Sequence, residues 1–312
     1  MSFKIILKLC VAISLLIFIY LNINKYEAVR TLNNLSFFWI SISIFILIII
    51  TFLNSLRIKN IISIFDELSA YKAWEVTVVS NAATFFLFPG ITSELSRFYL
   101  IKKFTNASRS EIFISLIYDR LCGAIASFFM SIIGGLLIFQ KIYEIEKIII
   151  FFSIAVIFLL FLYIFINIGK LKYIITYIPK LRSVHFINKL IDISDQVENN
   201  KILFLFNIFI SLLIQFGAIL IVYVISYDLE KLIDIRMLML LMPAMTIIIS
   251  LPITFGGIGL RELTFAAGFS LIHISNEVSI IIGLNYTMLL FFVTGFLLLT
   301  NEIFNFFYPT GE

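Results

Sequence analysis

Six stretches of this chain run for about twenty residues with few charges: Ile5–Ile23, Phe37–Leu56, Ile112–Phe139, Ile148–Ile168, Ile202–Ser226 and Val278–Phe307. No water-soluble fold has enough interior to hide them. In lipid the backbone must satisfy its own hydrogen bonds, so apolar runs of about 20 residues become helices. The rest of the chain agrees: 61% of the 312 residues are hydrophobic, mean hydropathy is +1.09, and 13% are charged, against about a quarter in soluble domains. A β-barrel is excluded because its strands alternate apolar and polar residues over about ten positions. The expected fold is an all-α polytopic membrane protein, with residues 1–312 as a single transmembrane domain. Ile5–Ile23 follows Lys4 and Lys8 and leaves through Asn22-Ile23-Asn24-Lys25, without a small-residue cleavage site, so it reads as a retained span.

Two further apolar stretches are broken in the middle. Lys72–Lys103 is interrupted by Pro89-Gly90, and Met237–Ile272 by Pro252 and then Gly256, Gly257 and Gly259. Proline removes a backbone donor and glycine loosens a helix. Pro243 also falls in the second stretch. Each stretch is either one kinked span or a re-entrant hairpin of two half-helices. The positive-inside rule decides for hairpins. With the N-terminus in the cytoplasm, the inner segments then carry fourteen Lys and Arg, Arg57 and Lys59 among them, against six outside. Single crossings would turn the basic segment 169–201 outward. Both termini then lie in the cytoplasm of a bacterial inner membrane. Each half becomes two spans, a hairpin and one span, entered from opposite sides. This is an inverted repeat, about 1–140 and 147–308, a transporter architecture whose site lies where the broken helices meet. Residues 58–71 and part of 169–201 read as amphipathic helices on the cytoplasmic surface.

That topology leaves six charges at membrane depth: Glu94, Arg97, Asp119, Arg120, Arg261 and Glu262. Unpaired, they would oppose insertion by roughly 15–20 kcal/mol in total, so they must pair or line a wet cavity. Four of them fall in the first turns of half-helices that begin just after the two breaks. A helix N-terminus with free amides and a partial positive charge suits an anion such as phosphate. Arg97, Arg120 and Arg261 can add charge-assisted bonds. Glu94, Asp119 and Glu262 can orient them or carry a proton. Asn81 and Asn285 are polar and mid-span. Cys10 and Cys122 are distant from one another, as are His185 and His273. No HExxH, CxxC or phosphate-binding loop occurs, so no metal or cofactor is expected.

Two blocks carry a family likeness: Asn81…Pro89-Gly90-Ile-Thr-Ser-Glu94-Leu95-Ser-Arg97 with Asp119-Arg120, and Leu251-Pro252-Ile-Thr-Phe-Gly256-Gly257-Ile-Gly259-Leu-Arg261-Glu262. Over most of its length the sequence resembles the flippase-like family built on the transmembrane domain of lysylphosphatidylglycerol synthase. It departs from that pattern at Ser93, where the family usually has Gly, at Asp119, usually Glu, and at Gly123, often an acid. The resemblance implies movement of a lipid between leaflets: an aminoacyl-phospholipid, a glycolipid or a polyprenyl-phosphate sugar. The soluble domain of the synthases has no counterpart in these residues, so lysyl transfer, and enzymatic activity generally, is not expected. Its expected partners are membrane lipids and enzymes of envelope lipid or glycan synthesis, with no nucleic acid. Two alternatives differ in class. One is a polytopic glycosyltransferase using a lipid-linked donor, for which acidic Asp228, Glu230 and Asp234 sit in a short outer loop. The other is an accessory subunit of an envelope-polymer machine.

Overall fold

A computed structural model describes residues 36–86, 92–138, 200–229, 232–249, 254 and 257–307. The expected spans Ile5–Ile23 and Ile148–Ile168, the segment 169–199, and the break residues Pro89, Gly90, Pro252 and Gly256 lie outside the described residues. Eight helices are described: α1 (Phe37–Ile62), α2 (Ala70–Phe86), α3 (Thr92–Phe104), α4 (Arg109–Ile138), α5 (Lys201–Asp228), α6 (Ile235–Ile249), α7 (Leu260–Ser270) and α8 (Asn276–Phe307). No strand occurs among the described residues. Helices α1, α4, α5 and α8 are long and apolar enough to cross a membrane. At 1.5 Å per residue each is about 39–48 Å long, and the hydrocarbon layer is about 30 Å thick. The other four, of 17, 13, 15 and 11 residues, reach only about 17–26 Å. None of them spans alone. The chain is a multi-pass α-helical membrane protein.

Hydrogen bonds fix which helix ends lie together. The backbone N–H of Ser36, at the start of α1, donates to Asp228 Oδ2 at the end of α5 (2.8 Å), so these two long helices run antiparallel. Asn106 N–H, after α3, donates to Asp66 Oδ2, before α2 (2.6 Å). The α2–α3 pair therefore returns to the end it entered from, as a hairpin. Tyr71 Oη, in the first turn of α2, donates to Asn305 Oδ1 near the end of α8 (2.5 Å). The opposite end of α8 follows α7 through a short turn, and α6 follows the end of α5. The α6–α7 hairpin thus enters from the other end of the molecule.

The packing has the same symmetry. α1 lies along α5. α2 packs on α8 as α6 packs on α4, and α1 touches α8 as α5 touches α4. Exchanging α1–α4 with α5–α8 maps every substantial helix pairing onto another. Each hairpin is therefore clasped by the last span of the other half. On α4, Gly134 makes this possible. A Cβ there would lie 2.5 Å from the backbone nitrogen of Leu240 on α6, an approach open to small residues only.

Apolar side chains cover both the inside and the outside. Ile221, Val222, Phe265, Phe269 and Ile282 are fully enclosed, while Phe45, Phe52, Phe209, Phe292 and Phe296 on the long helices are exposed. An exposed aromatic surface this extensive suits acyl chains and not water.

One expectation is corrected here. Residues 58–62 continue α1, with Ile58, Ile61 and Ile62 buried against α2 and α4. They form no surface helix, because the apolar positions face neighbouring helices. Pro243 lies inside α6 without ending it.

Candidate functional site

The sequence places Glu94 and Arg97 in the first turns of α3, and Arg261 and Glu262 at the start of α7, and the structure agrees. In the first half, Arg97 Nη1 lies 3.4 Å from Asp119 Oδ2 and 4.0 Å from Glu94 Oε1. Its Nε donates to Ser80 Oγ at 3.2 Å. Glu94 also pairs with Arg120. Asp119 is 2% exposed and Arg97 is 7%. The Arg120 side chain is 58% exposed, and it lines the cavity described below.

The second half is assembled differently. Gly257 and Gly259 adopt φ of +79° and +80°, a turn that favours glycine. That turn delivers the chain into α7. Glu262 Oε2 accepts the Gly259 N–H at 2.6 Å, the reach-back half of a capping box. Its Oε1 accepts from Thr287 Oγ1 at 2.7 Å. Arg261 Nη1 donates to the same hydroxyl at 2.8 Å, and its guanidinium lies 5.4 Å from the Tyr286 ring centroid. Thr287 therefore stands between the arginine and the carboxylate. The two halves match in register. Arg120 is the twelfth residue of α4 and Thr287 the twelfth of α8. Each receives the glutamate from the start of the preceding half-helix.

The sequence counts Arg57 among the cations of the cytoplasmic segments, and the structure buries its side chain in the helix bundle. It is 7% exposed and bonds Asp119 Oδ1 through Nε at 2.7 Å. It also donates to Ser211 Oγ at 2.8 Å and Asn54 Oδ1 at 3.3 Å. One signal could have found it. Thr51, Asn54 and Arg57 recur every three residues, a polar stripe that covers about a third of the circumference of a longer α1. Thr287 carried no such signal, since a lone Thr in an apolar helix usually bonds its own backbone.

One cavity of about 570 Å³ joins the halves. Asn81, Glu94, Arg97 and Arg120 line it from the first half, and Thr254, Gly257 and Arg261 from the second. Asp119 and Glu262 are not in its wall. They stand behind it and hold the arginines. The rest of the lining is mixed, with Thr51, Asn54, Thr84 and Thr246 beside Leu47, Ile50, Met242 and Leu290. Thr254 is 3% exposed and its hydroxyl has no hydrogen-bond partner. Asn285 lies elsewhere, donating to Ile281 O at 2.9 Å beside a separate small apolar pocket.

Comparison with curated proteins returned no match, and comparison with solved structures returned none. The family model described as the lysylphosphatidylglycerol synthase TM region matches residues 5–297. The paired hairpins and their arginines thus sit within the matched region, and the chain belongs to that family.

Proposed function

We propose that this protein moves a phosphate-bearing lipid between the leaflets of a bacterial inner membrane, with both termini cytoplasmic, and acts as a transporter and not as an enzyme. One observation carries the reading: a single cavity gathers Arg97 and Arg261 from two hairpins that enter from opposite ends, together with Arg120 from the span α4. Three guanidiniums in one wall suit phosphate oxygens. A cavity of about 570 Å³ has the size of a head-group or small-ligand site. It has no room for two acyl chains, which stay in the bilayer. Broken helices facing each other from opposite sides are suited to opening the site to each leaflet in turn. Family membership supports a membrane-lipid role.

The test is head-group translocation in proteoliposomes. Labelled phospholipids and polyprenyl-phosphate sugars would be offered to the wild type, Arg261→Ala and Glu262→Gln. Transport of one class, lost in both folded variants, is the expected result. Transport no faster than in protein-free vesicles across the whole panel would overturn the reading in favour of an accessory subunit.

A further inference from the structure

The charges around the cavity do not balance. Among the described residues, the bonded network holds Arg57, Arg97, Arg120 and Arg261 against Glu94, Asp119 and Glu262. The surplus arises in the first half, where Arg57, Arg97 and Arg120 share two carboxylates, Asp119 and Glu94. Arg57 also has Ser211 and Asn54 as partners, both neutral. The arrangement also faces the positive charge forward. Of the charged side chains in the wall, three are arginines and one is Glu94. The other two carboxylates are 2% and 0% exposed and are held from behind. The Thr254 hydroxyl, buried in the wall without a partner, adds a donor for an acceptor oxygen.

We infer that the cavity selects a lipid head group of net negative charge and rejects an otherwise similar head that carries an added ammonium. The inference rests on the reading of the cavity as a head-group site. It narrows the substrate to anionic phosphodiesters or polyprenyl-phosphate sugars and removes aminoacyl-phospholipids. An ammonium entering the wall would meet three guanidiniums and one carboxylate, and like charges in a poorly hydrated site repel strongly. Arg57 acts here as a specificity-determining residue that touches no ligand. Gly123 is its counterpart. A Cβ at Gly123 would lie 3.8 Å from Arg57 Nη1, so an acid could be accommodated there and would cancel the surplus. This sequence has none.

Binding separates this inference from transport. The purified full chain would be presented with equimolar phosphatidylglycerol, phosphatidylethanolamine and lysyl-phosphatidylglycerol of identical acyl chains, and retained lipid read by native mass spectrometry. The wild type is expected to prefer phosphatidylglycerol roughly tenfold over each of the others, the scale of one unit charge in a partly hydrated site. Arg57→Gln and Gly123→Asp neutralise the network by different routes, and both are expected to lose that preference. Arg57→Lys is expected to keep it. Thr246→Trp fills the cavity from α6 and is expected to abolish it, which separates the cavity from the lipid-facing surface. Equal retention of all three lipids by the wild type would overturn the inference, as would a preference that survives both neutralising variants. A lipid bound selectively but not translocated would support the inference and count against the transport reading.

Discussion

Asp119 serves two cations at once, Arg57 at 2.7 Å and Arg97 at 3.4 Å. Removing its charge leaves buried Arg57 without a counter-ion and Arg97 with only Glu94 at 4.0 Å. Asp119→Asn is therefore expected to cost about 3–5 kcal/mol, the usual penalty for breaking a buried pair, read as a loss of thermal stability in detergent. Glu94 faces the cavity and its partner Arg120 is 58% exposed. Glu94→Gln is expected to cost under about 1 kcal/mol while reducing transport. Equal stability losses in the two variants would show that the exposed pair is as structural as the buried one. The carboxylates thus divide by position: one organises the interior and one faces the ligand.

The hairpins depend on close helix approach more than on charge. At Gly134, any side chain meets the backbone of Leu240 and Met239. A backbone cannot yield as a flexible side chain can, so α6 must move bodily. Gly134→Ala is expected to cost about 1–3 kcal/mol and to weaken head-group binding, because Met242, Thr246 and Ile249 of α6 line the cavity. Unchanged melting and binding would mean that the α4–α6 contact adjusts freely. Each hairpin is also held by the opposite half, α2 by α8 and α6 by α4. A shift in one half is therefore expected to move the hairpin of the other.

For the whole molecule, the bond from Asn106 to Asp66 places both turns of the first hairpin on one side of the membrane. Cysteine labelling checks this directly. In a background with Cys10→Ser and Cys122→Ala, Ser63→Cys and Ser108→Cys are expected to react with a membrane-impermeant maleimide from the same side. Ser270→Cys is expected to react only from the other. All three residues are exposed. Labelling of Ser63→Cys and Ser108→Cys from opposite sides would mean that Lys72–Lys103 crosses once, and would remove the inverted repeat. The positive-inside rule further predicts that the shared side of Ser63 and Ser108 is the cytoplasm.

Much of this architecture was legible in the chain itself. Apolar runs of fixed length gave the long helices, because a lipid solvent leaves the backbone no partner outside its own helix. Proline and glycine marked both breaks, and the basic residues chose hairpins over single crossings. Charges that cost several kcal/mol each in lipid identified Glu94, Arg97, Asp119, Arg120, Arg261 and Glu262 as a set. The sequence could not say which of them would pair. Pairing joins residues far apart in the chain, and it is set by which helix faces meet. Only the tertiary structure brought Arg57 inward to Asp119, put Thr287 between Arg261 and Glu262, and turned Arg120 towards the cavity with Glu94. It therefore decided the sign of the cavity. Composition counts charges along a line, whereas the potential at a site depends on which of them are held within a few ångströms of it.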